Sequence, residues 1–229
     1  MLAKNLQTEF KKRGPWVTRF VIDGRAYGGR FDALKDGRLS QFFRQFPEAH
    51  TILELGSLEG GHTIGLAKFP GVQRVLGLEG RQANLDRARF VQTLLGVPQV
   101  DFVLENLETV DLSRFGKFDA VFCVGVLYHL PRPWELIAQI AQVSPHLFIW
   151  THYAADKKAD KTIVEFRGME YRESGLRDPL SGLSPSSFWP TLEALTEMLT
   201  KHGFTTIRLI ENNPSHPHGP AVTVAAVAG

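Results

Sequence analysis

The sequence predicts an α/β fold with seven strands, six parallel and the last antiparallel, and helices on both faces of the sheet. Three observations predict it. From residue 51 onward short apolar runs alternate with helical stretches, and that alternation builds a parallel sheet covered on both faces. The run Thr51–Leu55 breaks into glycines at Gly56, Gly60 and Gly61 before a mainly apolar stretch, which reads as strand, tight turn and helix start. The last two apolar runs are joined only by Asn212–Pro220, too short for a parallel crossover, so the final strand turns back antiparallel.

In chain order, residues 1–47 read as an N-terminal extension or cap. Gly14-Pro15, Gly24 and Gly28-Gly29 break it, so residues 1–35 read as irregular apart from a short strand within Trp16–Ile22. Leu39–Phe46 reads as an amphipathic helix that Pro47 ends. Residues 48–229 form the main domain. Its strands are placed at 51–55, 74–79, 100–105, 118–125, 146–151, 204–211 and 221–227, and its helices at 61–69, 82–95, 132–142 and 190–202. In the helix 82–95, Leu85, Ala88, Val91 and Leu95 make one apolar stripe, and Gly96 then Pro98 stop it. Residues 152–189 interrupt the alternation. They are rich in Gly, Ser, Pro and charge and carry Tyr153, Tyr171, Phe188 and Trp189, which suits a lid over a pocket at the carboxyl end of the sheet.

Composition narrows the function classes. At 229 residues, 43% hydrophobic and 22% charged, the chain suits one elaborated soluble domain. No apolar run reaches the roughly 18 residues of a membrane span, and Met1–Asn5 lacks the apolar core of a signal peptide, so a cytoplasmic protein without a membrane partner is expected. Cys123 is the only cysteine, which excludes an internal disulfide and suits a small buried strand residue. A net charge of +2 argues against nucleic acid as the main partner. The charge is uneven: residues 1–45 hold ten Lys and Arg against four acids, which makes either a solvated extension or a positive rim for an anionic substrate.

The glycine turn lies where α/β sheets bind ligands, at the carboxyl end of a parallel strand, with the N–H groups of a helix start facing it. A dinucleotide fingerprint needs a middle glycine to admit the pyrophosphate. Leu58 stands at that place and argues against a diphosphate. Glu79 ends the next apolar run, Arg74–Glu79, and a carboxylate there takes both hydroxyls of a ribose. Together these suit an adenosine-type ligand.

Glu54–Gly60 resembles the first motif of the class I S-adenosylmethionine-dependent methyltransferases, an acid followed by alternating glycines, with Leu58 departing at the second glycine. Val75–Glu79 resembles the family's acidic second strand and Phe118–Leu130 its fourth. The resemblance covers about residues 50–229 and implies a Rossmann-like seven-stranded sheet with S-adenosyl-L-methionine as cofactor. It implies that Glu54, Gly56, Ser57 and Gly60 line the methionine end, with Gly125 near it, and that Glu79 holds the ribose. Gly80 and Leu107 become adenine neighbours, and Asn106 faces the adenine amino group where the family usually has Asp. The stretch Val126–Pro131 is similar both to methyltransferases of polysaccharide or secondary-metabolite pathways and to tRNA wobble-uridine modification enzymes. A small-molecule or glycan-type acceptor methylated at oxygen or nitrogen is therefore expected. An RNA-modifying enzyme is the second reading, and a degenerate module that binds the cofactor without turnover is the third.

His129 and His152 end the fourth and fifth strands, where a general base for the acceptor belongs. The alternative is that both cap strands by bonding backbone. With His62 they show no H-x-H or H-x-x-x-H spacing, so no metal is expected. Tyr128 and Trp134 read as packing residues, and Trp16, Tyr27 and Arg30 are candidates to fold over the pocket.

Overall fold

A computed structural model describes residues 3–229. In chain order its elements are α1 (Ala3–Arg13), β1 (Arg19–Ile22), β2 (Arg25–Gly28), α2 (Gly37–Gln45), β3 (Thr51–Leu55), α3 (Gly61–Ala67), β4 (Arg74–Glu79), α4 (Gln82–Leu95), β5 (Val100–Leu104), β6 (Ala120–Val124), α5 (Pro133–Val143) and β7 (His146–His152). There follow β8 (Lys161–Ile163), β9 (Phe166–Arg172), β10 (Ser186–Pro190), α6 (Leu192–Lys201), β11 (Phe204–Asn213) and β12 (Ala221–Ala228). No helix among the described residues is long and apolar enough to cross a membrane.

Seven strands make the main sheet, in the order β11-β12-β7-β6-β3-β4-β5. Neighbours from β7 to β5 pair in parallel. β12 runs antiparallel between β7 and β11, so six strands share one direction and the last opposes them. The sheet is the one read from the sequence, and the physical reason is the short β11–β12 connection.

Successive residues of a strand face opposite sides, and the two faces bury two apolar clusters. Leu53, Leu55, Val121 and Ile149 pack with Ile137 of α5 and Leu195 and Met198 of α6. Ile52, Val75, Phe122 and Phe148 pack on the other face with α4 and with the N-terminal segment. Phe42 of α2 meets the rings of Phe122 and Phe148 edge-on at 5.5 and 5.8 Å. Each such pair adds about 0.5–1.5 kcal/mol beyond area burial, so α2 is fixed to the sheet.

Three features differ from expectation. The segment read as irregular opens with α1. Leu6 and Phe10, one turn apart, give it a buried side, and Lys11, Lys12 and Arg13 in its last turn complement the helix dipole. Residues 152–189 carry a second, three-stranded antiparallel sheet in the order β10-β9-β8. α6 starts at Leu192 rather than 190, because Pro190 belongs to β10 and the Thr191 hydroxyl caps the helix by accepting from Ala194 N–H.

Candidate active site

The carboxyl ends of the parallel strands open into a cavity of about 680 Å³. It crosses the sheet from Glu79 on β4, past Gly56 after β3 and Gly125 after β6, to Trp150 on β7, Thr223 on β12 and Glu211 on β11.

The glycine turn shapes its middle. Gly56 takes φ of 73°, and a Cβ there would meet Val126 Cγ2 at 2.5 Å, so no side chain fits. Leu58 takes φ of 50°, a left-handed conformation that costs a non-glycine residue about 1–2 kcal/mol. Its N–H donates to Glu79 Oε2 at 2.8 Å. Glu79 Oε1 accepts from Arg81 N–H at 2.8 Å and from Asn84 Nδ2 at 3.2 Å. The carboxylate is thereby anchored with its remaining lone pairs available at the cavity wall. Burial pushes its pKa up against the pull of these donors.

A second acid ties down the turn from the other side. Glu59 is fully buried and accepts from Val17 N–H and, at 2.6 Å, from Thr18 N–H. The N-terminal segment therefore supplies cavity wall: Val17, Thr18, Phe31, Ala33 and Arg38 line it. Trp16, Tyr27 and Arg30 do not. Trp16 donates its indole N–H to the Phe10 carbonyl, Tyr27 stacks on Phe10, and Arg30 is exposed.

Gly56, Ser57, Glu79, Gly80, Asn106, Leu107, Gly125 and His129 all lie in the wall. Ser57 Oγ is buried without a hydrogen-bond partner, a polar atom that a bound molecule would satisfy. Gly80 sits under Leu183, whose Cδ1 would lie 2.8 Å from an added Cβ. Asn106 Oδ1 accepts from Glu108 N–H at 3.0 Å, so its amide also closes its own turn. Glu54 and Gly60 stand behind the wall. The Thr63 hydroxyl donates to Glu54, and burial, reinforced by the charge of Glu79, pushes its carboxyl up to about 8. Gly60 caps α3 at φ of 79° against Phe102 and Ala88.

The two histidines part company. His129 closes the 3-10 turn Leu127–His129 after β6, the central strand of the sheet. Its Nδ1 lies 3.1 Å from both oxygens of Glu173, a buried acid at the end of β9. Burial alone would raise the Glu173 carboxyl. His129 and the donors from Gly182 N–H and Ser187 Oγ outweigh it and hold the carboxyl at about 2. Glu173 is therefore an acceptor only, so Nδ1 of His129 carries a proton toward it. His152 does not reach the cavity wall. It is buried, its Nδ1 faces the carbonyls of Gly219 and Pro220 at 3.0 and 3.2 Å, and its ring stacks on Trp189 at 5.1 Å.

Residues 178–184 are tied to the loops after β4 and β5. Arg81 Nη2 donates to the carbonyls of Asp178, Ser181 and Gly182, at 2.8 Å for Ser181, and the Ser184 hydroxyl donates to Glu108. Pro179–Leu183 line the cavity. Sequence reasoning did not find Glu173, Arg81, Arg38 or Glu59, whose partners lie up to 101 residues away. Only Glu59, an acid inside the glycine motif, left a local signal. Among the described residues, no group of His, Cys, Asp or Glu is arranged to hold a metal.

Comparison with known proteins fits this geometry. A family model described as a methyltransferase domain matches residues 53–145. A tRNA U34 carboxymethyltransferase of Syntrophotalea carbinolica is 28% identical over 172 residues, 72% of this chain and 48% of that protein. One of Vibrio cholerae is 26% identical over 164 residues, 71% and 47%. The chain thus spans about half the length of the curated relatives it matches. The crystal structure of the N-terminal domain of EvdMO1 in the presence of SAH and D-fucose superposes with a TM-score of 0.90 at 33% identity, covering 100% of this chain and 98% of that one. Magnesium protoporphyrin IX methyltransferase from Synechocystis with bound SAM shares the fold alone, with a TM-score of 0.57 at 17% identity over 83% of this chain and 76% of that one. The sheet order, the glycine turn bonded to Glu79 and these relatives agree: the chain belongs to the class I S-adenosylmethionine-dependent methyltransferases.

Proposed function

We propose that the protein transfers a methyl group from S-adenosylmethionine to a hydroxyl of a sugar or a similar polyhydroxylated small molecule. The observation that carries this reading is His129 in the cavity wall, paired with the buried Glu173, between the glycine turn and the aromatic far end. The EvdMO1 domain, alike over its whole length and crystallised with SAH and D-fucose, supports a sugar as acceptor.

Glu79 accepts the ribose hydroxyls with the lone pairs that Leu58, Arg81 and Asn84 leave open. Ser57 Oγ and the Gly56 turn serve the methionine end, with Glu54 and Gly60 supporting that turn from behind and Gly125 opposite. Gly80, Leu107 and Leu183 give apolar contact to the adenine, and Asn106 keeps its Nδ2 and one lone pair of Oδ1 for it. When bound, S-adenosylmethionine supplies a methyl group on a sulfonium sulfur. His129 Nε2 would take the proton of the acceptor hydroxyl as the methyl group leaves its sulfur, which departs as a neutral thioether, and Glu173 would stabilise the resulting imidazolium. His152 has a positioning role through the loop it anchors.

The tRNA U34 carboxymethyltransferases among the relatives favour a second reading, transfer to RNA. A carboxymethyl group needs a cation beside it. Arg38, the arginine at the acceptor end, already gives Nε and Nη2 to Asp36, and the net charge of +2 is low for RNA. The test is incubation of the purified protein with S-adenosylmethionine and either D-fucose and related sugars or bulk tRNA, read by mass spectrometry. A sugar heavier by one methylene supports the proposal. A modified uridine with untouched sugars refutes it, and intact cofactor binding without turnover on any acceptor makes the chain a binding module.

A further inference from the structure

The far end of the cavity extends well past His129. Val124, Trp150, Thr223 and Glu211 are register partners on β6, β7, β12 and β11. Partners across strands carry side chains on the same face, and all four line the cavity. Strands are about 4.8 Å apart, so this row is about 14 Å long. The cofactor half lies on the other side of β6, toward β3 and β4. The floor beyond the base is therefore longer than one sugar ring.

The chemistry of that floor changes along its length. Next to β6 it is aromatic, with Trp150 held under the Arg38 guanidinium at 4.7 Å. Further out it becomes polar. Thr223 is 1% exposed and lines this stretch of the cavity. Glu211 beside it is exposed and makes no ion pair among them. The β11–β12 loop adds His216 and His218 to the wall. The ring of His216 packs 5.0 Å from His152, which is itself fixed to the carbonyls of Gly219 and Pro220. The buried His152 therefore sets the position of this wall.

We propose that Thr223, Glu211, His216 and His218 form a second acceptor subsite, which takes a further glycosyl unit linked to the ring that is methylated. This rests on the sugar-methylation reading and names the substrate class as a glycoside of at least two rings. A carboxylate accepts neighbouring hydroxyls, a threonine hydroxyl both donates and accepts, and imidazoles offer a ring face and an N–H. The same set disfavours a diphosphate. Glu211 repels it, and Arg38 is already engaged with Asp36. The outer end is exposed, so a chain of rings leaves the site without a clash.

The test compares D-fucose with disaccharides in which D-fucose is linked to glucose or galactose, using S-adenosylmethionine and locating the new methyl by mass spectrometry. At least one disaccharide is expected to exceed D-fucose about tenfold or more in kcat/KM. Glu211→Ala and Thr223→Val are each expected to bring that ratio several-fold toward one. Glu211 is exposed, so its variant keeps the fold even if the buried Thr223 variant does not. Sugar methylation with no disaccharide preference, or a preference that survives both substitutions, overturns the subsite and leaves the proposed activity standing. A nucleoside-diphosphate-linked D-fucose that outperforms every disaccharide overturns the glycosyl assignment in favour of an anion. Turnover of no sugar at all overturns both.

Discussion

Replacing Glu173 with Gln isolates the most heavily bonded acid of the site. Its side chain is 2% exposed and accepts from His129 Nδ1 at 3.1 Å, Ser181 Oγ at 2.8 Å, Gly182 N–H at 2.7 Å and Ser187 Oγ at 2.7 Å. Burial favours the neutral acid, but these donors overcome it and lower the carboxyl from 4.5 to about 2. At about 1.4 kcal/mol per pKa unit, the ionised form contributes about 3 kcal/mol to stability. The folded pKa lies below the unfolded one. The contribution is therefore complete above pH 4.5 and disappears as pH falls through 2. Glutamine removes the charge and turns an N–H₂ group toward donors. At neutral pH E173Q should unfold about 3 kcal/mol more easily in urea, and the gap should close from pH 4.5 downward. The same substitution removes the charge that fixes the proton on His129 Nδ1. Turnover should fall by about 10²-fold, the lower end of what general base catalysis contributes, while SAH affinity stays near native. A variant with native stability at pH 7, or with native turnover, would refute the role given to this acid.

Four further outcomes are expected. Glu79→Ala should weaken SAH binding at least about tenfold by calorimetry, since charge-assisted bonds contribute about 1.5–3 kcal/mol each; a folded variant with unchanged affinity removes Glu79 from the site. Arg81→Ala should free the lid carbonyls it holds, seen as faster amide exchange across residues 173–184, and unchanged exchange argues against the latch. Glu54 is raised from 4.5 to about 8, so the folded state holds its proton longer than the unfolded chain and stability declines as pH rises across that window. Glu54→Gln should escape the decline and gain on the order of 3–5 kcal/mol relative to the native protein by pH 8, and parallel pH curves in urea titrations would contradict this. Leu58→Gly should change stability by less than about 1 kcal/mol, because relief of left-handed strain is offset by the freer unfolded chain; a large loss in urea would show that the leucine side chain holds the turn.

The main sheet was legible because each of its runs is long, apolar and punctuated. β4 sits between Gly71 and Gly80, and α4 ends on Gly96 at φ of 61°. The elements that escaped have little apolar signal. α1 shows two buried anchors, Leu6 and Phe10, among residues 5–13. β8 is exposed throughout, and β9 buries only Phe166 and Gly168. The site divides on the same principle. Gly56, Ser57, Glu79 and Gly80 belong to short strand-end turns, where type and spacing suffice to place a residue. Glu173 meets His129 across 44 positions, and nothing local marks either for the other. His152 shows the limit of strand-end reasoning. Its place in β7 was readable, but the loop 213–220 that turns its ring from the cavity to backbone carbonyls was not.

Leu58 shows why a motif reads better as a requirement than as a pattern. Glycine at that place would supply the left-handed conformation without strain. Here two acids supply the shape instead. Glu79 takes the Leu58 N–H from the ligand side, and Glu59, one residue on, binds Val17 and Thr18 behind it. Several charge-assisted hydrogen bonds outweigh about 1–2 kcal/mol of backbone strain. The same two acids link the turn to β4 on one side and to the N-terminal segment on the other, which carries Thr18, Phe31 and Arg38 into the cavity wall. A residue that looks like decay at the level of the motif is thus coupled to the N-terminal segment, which forms part of the cavity wall and is held there through the turn.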